Sequence, residues 1–374
     1  MKYWSFTIFA ILSLVACQNE DKQKIDVVEE KSLAKFEPAE DRCIVFVGQE
    51  LEAIGGLEAP YNDGYMDHFP KPAGFTMYSG INPGVESFGY TMRGLDGIWE
   101  TDDWGDSENN MSLQLADPDF NEMPLAIGLW MTGGHDRNIA NGEHGILIDS
   151  LGNWLKSLAP RPVFLRIGYE FHGSWNDYDR ESYIKSYRRI KDRYDEMGVS
   201  NVAYVWQSHG FDEPDSLLEA WYPGDDYVDW CSYSFFGRWM DANMIEFARK
   251  KGKPVFIAEA SPVIGTETVR ENGKTKETIL SNPEHAKEAI DRWFDPFFKT
   301  IEENSDVVKA ISFINCNWKT HRMWFDNPHF QDVDARIQTS EIVSERWMKE
   351  MSKEQFINGD EDVYKLLGVK RNVP

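Results

Sequence analysis

Residues Phe164 to Trp175 read FLRIGYEFHGSW, an apolar, β-favouring run that ends on a glutamate, a histidine, two glycines' worth of turn and a tryptophan. A carboxylate delivered where a strand runs out is either a solvated loop charge or a chemical tool. The rest of the chain has to decide which.

The design occurs twice. KPVFIAEASP, Lys253 to Pro262, again enters on a turn residue, runs through four apolar positions and stops at Glu259 beside a small residue. Around these two stretches, short β-rich runs recur at Cys43–Val47, Phe75–Tyr78, Leu125–Trp130, Val163–Tyr169, Val202–Trp206, Val228–Ser234, Val255–Ala258 and Ala310–Ile314. Amphipathic stretches separate them, among them Glu181–Met197, offered a cap by Asp179 and a stop by Gly198, and Pro283–Glu302. Eight strands alternating with helices predict an α/β fold of the (β/α)8 TIM-barrel type, whose active site forms at the carboxyl ends of the strands. Glu170 after the fourth strand and Glu259 after the seventh then share one face. Two converging carboxylates are the minimum apparatus for cleaving a glycosidic bond, one protonated to donate to the leaving oxygen and one ionised. Read singly, each is equally an ordinary loop residue or a barrel-end ion-pair partner. The stretch Gly80 to Phe120, with Trp99, Asp102, Asp103 and Trp104, is long for a connection and predicts an excursion over the barrel mouth.

Composition narrows the partners. The 374 residues are 41% hydrophobic, enough for one large core, and Lys+Arg 39 against Asp+Glu 63 leaves a net charge of −24 that repels phosphate backbones and anionic membranes. Nucleic acid is excluded as an expected partner. The 14 Trp are either a generous core or stacking platforms. Cys43, Cys231 and Cys316 lie in apolar runs without metal-ligand spacing, which predicts small buried hydrophobes and neither disulfides nor a metal site. No HExxH, Gly-x-Ser-x-Gly, P-loop or GxGxxG pattern is present, and no cofactor is expected.

At the amino end, Lys2 is followed by an apolar run from Trp4 to Val15 that is too short to span a bilayer. Leu14-Val15-Ala16-Cys17 resembles a bacterial lipobox, implying residues 1–16 as signal peptide and acylation of Cys17. Residues 17–40, rich in Glu, Asp and Lys, read as a disordered tether, leaving 41–374 as a single domain. Glu20 and Asp21 resemble a surface-export signal, so a lipid anchor in the outer membrane, facing the cell surface or the periplasm, is the expected location.

Arg166 four residues before Glu170, Gly173 and Trp175 after it, the helix through Tyr183–Arg189, NVAYVWQ at Asn201–Gln207, WYPGDDYVDW at Trp221–Trp230 with Tyr233 beyond, KPVFIAEA at Lys253–Ala260 and a last strand leading to Trp318 follow one another in a familiar order. In these pieces, spanning roughly residues 120 to 320, the chain resembles the (β/α)8 retaining glycoside hydrolases, and among them glycoside hydrolase family 26, the β-mannanase family.

The resemblance implies Glu170 as acid/base and Glu259 as nucleophile in a double displacement on a β-linked polysaccharide, carried out by a monomer. It further implies Arg166 and Tyr233 as the residues that keep Glu259 ionised and oriented, each with the alternative of plain barrel packing. Sugar rings stack on aromatics, which nominates Trp318, Trp175, Trp130 and Trp206, while His172, Gln207 and His209 are candidate hydroxyl partners. Trp239, Trp324 and His321 fall in loops that could wall the cleft. The chain departs from the mannanase pattern of His before the acid/base and Met-Asn after it, having Tyr169 before and Phe171-His172 after. Tyr169 and His172 therefore point equally to mannan or to another β-glycan such as a β-1,3-xylan or a red-algal galactan. A glycan-binding surface lipoprotein whose barrel has lost catalysis is the alternative, against which the presence of both glutamates at strand ends argues; in a structural or partner-binding surface protein their paired contexts would be coincidence.

Overall fold

The computed structural model describes residues 33–374 apart from 88, 106, 212, 238–241, 265–276, 361 and 371–374. The signal peptide, Cys17, most of the expected tether and Trp239 lie outside the described residues. Eight parallel strands form a closed barrel: β1 (Cys43–Gly48), β2 (Gly74–Gly80), β3 (Leu125–Trp130), β4 (Val163–Ile167), β5 (Val202–Ser208), β6 (Trp230–Phe235), β7 (Val255–Ala260) and β8 (Val308–Ile314). Neighbours in sequence are neighbours in the sheet, and β8 returns to β1 with Ile44 opposite Ala310 through Gly48 opposite Ile314. A short strand, Phe356–Ile357, adds to the start of β1.

All eight expected strands are present, with ends displaced by a few residues. The helix α1 (Arg180–Met197) begins where Asp179 accepts the amide hydrogen of Ser182 and ends at Gly198, whose φ of 70° is left-handed. The expected helix from Pro283 runs through a wider π turn at Ile290–Phe294 before continuing as Asp295–Glu303. Cys43, Cys231 and Cys316 are buried and unbridged. Among the described residues no helix is long and apolar enough to cross a membrane.

Side chains alternate along each strand, and one set fills the barrel. Ile44, Phe46, Ala126, Phe164, Ala203, Val205, Trp230, Phe256, Ala258 and Ala310 form this inner cluster. Phe164 pairs in register with Ala126 and Ala203 and Phe256 with Ala310, and the rings meet one another: Phe46 lies 5.3 Å from Phe164 and 5.1 Å from Phe256, and Phe164 lies 5.3 Å from Trp230. The barrel is therefore a packed plug up to the level of Arg166 and Glu259.

Its amino-terminal face is closed by a segment assigned to the tether by the sequence reading. Phe36, the single aromatic of residues 17–40, packs 5.8 Å from Phe164, and the carbonyl of Lys35 accepts from the indole of Trp230 at 2.8 Å. Lys309 also donates to the carbonyl of Glu40. Lys35, Phe36 and Glu40 thus pack on the barrel although they precede the expected boundary at 41, because one aromatic in a polar tract meets the apolar end of the barrel. At the other face, the Gly80–Phe120 excursion folds into two short hairpins, Glu86–Ser87 with Tyr90–Thr91 and Asp102–Asp103 with Glu108–Asn109, and a helix, Met111–Ala116.

Candidate active site

Two local departures from strand geometry aim the two glutamates. On β4, Phe164 and Arg166 face inward, and the chain then leaves the strand through Gly168 at φ 57° and Glu170 at φ 51°. A left-handed glutamate is sparsely populated backbone, the kind of strain held at functional sites. A side chain at 168 would meet the ring of Tyr183 at 2.6 Å, so glycine is required there. Glu170 ends 8% exposed at the barrel mouth.

On β7, strict alternation would turn Glu259 away. Ile257 pairs with Tyr233 but Glu259 pairs with Ser234, leaving Ala258 as the extra residue of a β-bulge. Ile257 and Ala260 pack toward the helices while Ala258 faces the barrel, so the bulge lets two successive residues, Ala258 and Glu259, point inward. Glu259 lies inside β7, one residue before its end, where the sequence reading places it just past the strand.

The carboxylates sit in one buried network. Glu259 Oε1 accepts from the Arg166 Nη1 at 2.8 Å and from the Tyr78 hydroxyl at 2.6 Å. Ser234 Oγ lies 3.2 Å from Glu259 Oε2 and 2.7 Å from Glu170 Oε1, and the indole of Trp175 donates to Glu170 Oε2 at 2.9 Å. Arg166, fully buried, also donates to Gln207 Oε1 at 2.9 Å, and Gln207 Nε2 donates to Ser234 at 3.0 Å. The guanidinium carbon lies 4.8 Å from the centre of the Tyr78 ring and 5.1 Å from that of the Tyr169 ring, two rings that themselves meet edge-on at 5.5 Å.

These surroundings treat the two acids differently. Burial, and then the charge of Glu259, push the Glu170 carboxyl up to about 8 against the opposing pull of Ser234, Trp175 and Arg166. Burial and Glu259 likewise hold the Tyr78 phenol well above its ordinary range, so it stays a donor. Glu259 instead receives a cation and two hydroxyls.

A cleft of about 670 Å³ opens above this network. Tyr169, Trp175, Trp130, His209 and Trp318 line it together with both glutamates, and Trp324 joins them. His172 stands behind the wall: its ring stacks on His209 at 3.9 Å and its Nε2 lies 3.3 Å from Glu213. Burial and the neighbouring His172 push His209 down to about 3, which keeps it neutral.

Four further nominated residues are elsewhere. Because Gln207 and Ser234 face the barrel interior, their neighbours Trp206 and Tyr233 face the helices. Trp206 stacks on Phe171 at 4.5 Å, and both Trp206 and Tyr233 are fully buried in the outer core. Gln207 lies beneath the cleft floor, holding Arg166. His321, 2% exposed, packs on Cys316 and approaches Glu50 at 3.8 Å.

Tyr78, Ser234 and Trp104 carry weight the sequence reading did not give them. Trp104, on the excursion, lies 6.0 Å from Tyr78 and lines the cleft beside Trp130. Strand parity would have found Ser234 once any residue of β6 was known to face inward. Among the described residues, Glu50–Cys316–His321 and His172–His209–Glu213 have the composition of metal ligands, and both lie outside the hydrogen-bonded set around Glu170 and Glu259.

Comparison with known proteins bears on the fold and the family. The barrel superposes on a β-mannanase from Bacteroides ovatus with a TM-score of 0.54 at 14% identity, covering 89% of this chain and 94% of that one. It superposes on GH26C from Muricauda sp. MAR_2010_75, also at 0.54, at 13% identity over 88% and 90%. Those likenesses speak for the fold alone. In sequence the chain is 30% identical over 335 residues to a β-1,3-xylanase from Alcaligenes sp., and 30% over 345 residues to the β-1,3-xylanase TXYA of Vibrio sp.. Each alignment takes 87% of this chain and spans 66% and 68% of the respective relative, about two thirds of its length. Residues 136–312 match the model of glycosyl hydrolase family 26, and with a relative aligned across nearly the whole barrel, the chain belongs to glycosyl hydrolase family 26.

Proposed function

We propose that this chain is a retaining glycoside hydrolase that cuts β-linked polysaccharide, with Glu170 as acid/base and Glu259 as nucleophile, and that its substrate is a β-1,3-xylan. The observation that carries the mechanism is the single hydroxyl of Ser234 reaching both carboxylates, 2.7 Å from one and 3.2 Å from the other. Their nearest oxygens can be no farther apart than those two bonds laid end to end. One hydroxyl shared by both leaves no room between those oxygens for the water that an inverting pair keeps across roughly 6.5–9.5 Å, and it suits the roughly 5–5.5 Å of a double displacement.

Glu170, held protonated, gives its proton to the glycosidic oxygen as the C–O bond breaks and its electron pair leaves with that oxygen. Glu259 Oε1 is occupied by Arg166 and Tyr78, so Oε2, held by the longer bond to Ser234, attacks the anomeric carbon. Glu170, now a carboxylate, takes a proton from water as that water displaces the ester, returning the original configuration.

The substrate reading rests on two supports. Both aligned relatives are β-1,3-xylanases, and the residue before the acid/base is Tyr169, whose ring lies against Arg166 at the cleft floor. The test is reducing-sugar release from β-1,3-xylan, β-1,4-xylan and β-mannan, with proton NMR of the first product. Fresh β-anomer from β-1,3-xylan supports the proposal; a higher kcat/KM on mannan moves the substrate, and fresh α-anomer removes the mechanism. The anchor belongs to the same reading: a monomer held at an outer membrane through acylated Cys17, checked by fatty-acid labelling that Cys17→Ala abolishes and by light scattering.

A further inference from the structure

Ser234 has one hydrogen and three neighbours, and their roles can be counted. Arg166 can only donate, so Gln207 Oε1 is the amide atom facing it at 2.9 Å, and the amide nitrogen is the atom at 3.0 Å from Ser234 Oγ. Gln207 therefore fills one acceptor position on the serine. What remains is one O–H and one lone pair, facing two carboxyl groups at 2.7 and 3.2 Å in a site from which solvent is nearly excluded. Both can be satisfied only when one of them carries a proton, donating it to Oγ while the serine donates to the other. Arg166 and Tyr78 already claim Glu259 for the ionised role.

Building on the acid/base and nucleophile reading above, we propose that Ser234 is a rotating donor that follows the state of the two glutamates, pointing its hydrogen at Glu259 before glycosylation and at Glu170 after it. In the resting site the chain of donors runs from the Glu170 O–H to Ser234 and from Ser234 to Glu259 Oε2. Glycosylation carries the Glu170 proton to the leaving oxygen and converts Glu259 Oε2 to an ester, which loses its charge and is a poor acceptor. The serine hydrogen then turns to the new Glu170 carboxylate, with no proton of its own transferred. Deglycosylation takes a proton from water onto Glu170, breaks the ester with its electron pair returning to Glu259, and the hydrogen turns back. Ser234 is thus a positioning residue that supports Glu170 as a base during the second half of the cycle and frees it to be an acid in the first.

The experiment compares Ser234→Ala, which removes the donor, with Ser234→Thr, which keeps it. Both are assayed on an aryl β-xyloside with a good leaving group, where deglycosylation limits turnover. Expected for Ser234→Ala is a deglycosylation rate lower by about 10-fold or more. The basic limb of kcat/KM should also move upward by about one pH unit, because an ionised Glu170 and Glu259 would then face each other with no hydroxyl between them. Ser234→Thr should recover both within a few-fold. An unmoved basic limb in Ser234→Ala, or a threonine variant no better than alanine, overturns the switch. Labelling wild type with a 2-deoxy-2-fluoro-β-xylosyl fluoride and mapping the ester separates the two readings. A label on Glu259 with an unmoved limb sinks the switch alone, whereas a label elsewhere, or none, sinks the nucleophile assignment and the switch with it.

Discussion

The Tyr78 hydroxyl meets Glu259 Oε1 at 2.6 Å, on the same oxygen that Arg166 holds at 2.8 Å. One carboxylate oxygen thus takes a cation and a phenol whose proton is hard to remove, and the other is left for chemistry. Tyr78→Phe keeps the ring that packs against Trp104 and Trp130 and removes only the donor. A hydrogen bond to a charged group is worth about 1.5–3 kcal/mol, so kcat/KM should fall between about 10- and 150-fold with little change in Tm. Steady-state kinetics beside a thermal melt checks this, and an unaltered kcat/KM would remove Tyr78 from the site.

Glu259→Ala should abolish turnover of both polysaccharide and aryl glycoside, since the covalent route is gone. Azide added to this variant should occupy the space of the lost side chain and yield an α-glycosyl azide, of inverted configuration. Recovery of a β-glycosyl azide instead would assign the nucleophile to another residue.

The Glu170 carboxyl, pushed up to about 8 by burial and by Glu259, sets a pH dependence in both activity and stability. With Glu170 as the proposed acid, turnover needs its proton, so kcat/KM should decline as pH rises through about 8. Stability moves the same way. In the unfolded chain the group titrates near ~4.3, so between there and its folded value the native state binds the extra proton and folding is progressively penalised as pH rises. Glu170→Gln should therefore lose activity on the polysaccharide while melting higher than wild type at pH 8 to 9, with the gap closing toward pH 5. A gap that is constant across this range would mean that Glu170 is not held protonated by the fold.

Trp175 shows how much of this site could be read in advance and how much could not. Its place five residues after Glu170 marked it as cleft wall, and it is 57% exposed there, but its indole N–H on Glu170 Oε2 depends on a left-handed turn at residue 170 that nothing in FLRIGYEFHGSW prescribes. The strands were legible because a buried parallel sheet writes itself as short β-branched and aromatic runs. Which face each residue takes was not, since it depends on a parity that a single bulge at Ala258 resets and that sent Tyr233 and Trp206 outward while bringing Ser234 and Gln207 in. Phe36 likewise packs, partly buried, against the inner cluster at Phe164, a fact of packing and not of local composition.

Trp175→Phe removes that indole donor from an exposed position, so the fold should survive with Tm nearly unchanged. The donor favours the ionised form of Glu170, and its loss should move the basic limb of kcat/KM upward. Rates on polysaccharide should fall more than rates on an activated aryl glycoside, where protonation of the leaving oxygen matters least. Equal losses on the two substrates would assign Trp175 to binding alone.

Gly128 on β3 gives the sharpest test of the packing that holds the network. A methyl group placed there would come within 2.5 Å of the Tyr78 ring and 2.9 Å of Arg166 Nη2, distances that real side chains do not keep. Neither neighbour can retreat without losing its bond to Glu259, and Arg166 is enclosed on all sides. Gly128→Ala should therefore cost about 1–3 kcal/mol of stability by overpacking, and far more in rate than Tyr78→Phe, because it displaces both groups on Glu259 Oε1 at once. The check is a denaturant melt beside kcat/KM. A variant that folds at wild-type stability and turns over within a few-fold of wild type would show that Arg166 and Tyr78 have room to move, contrary to a site whose geometry is set by close contact at a single glycine.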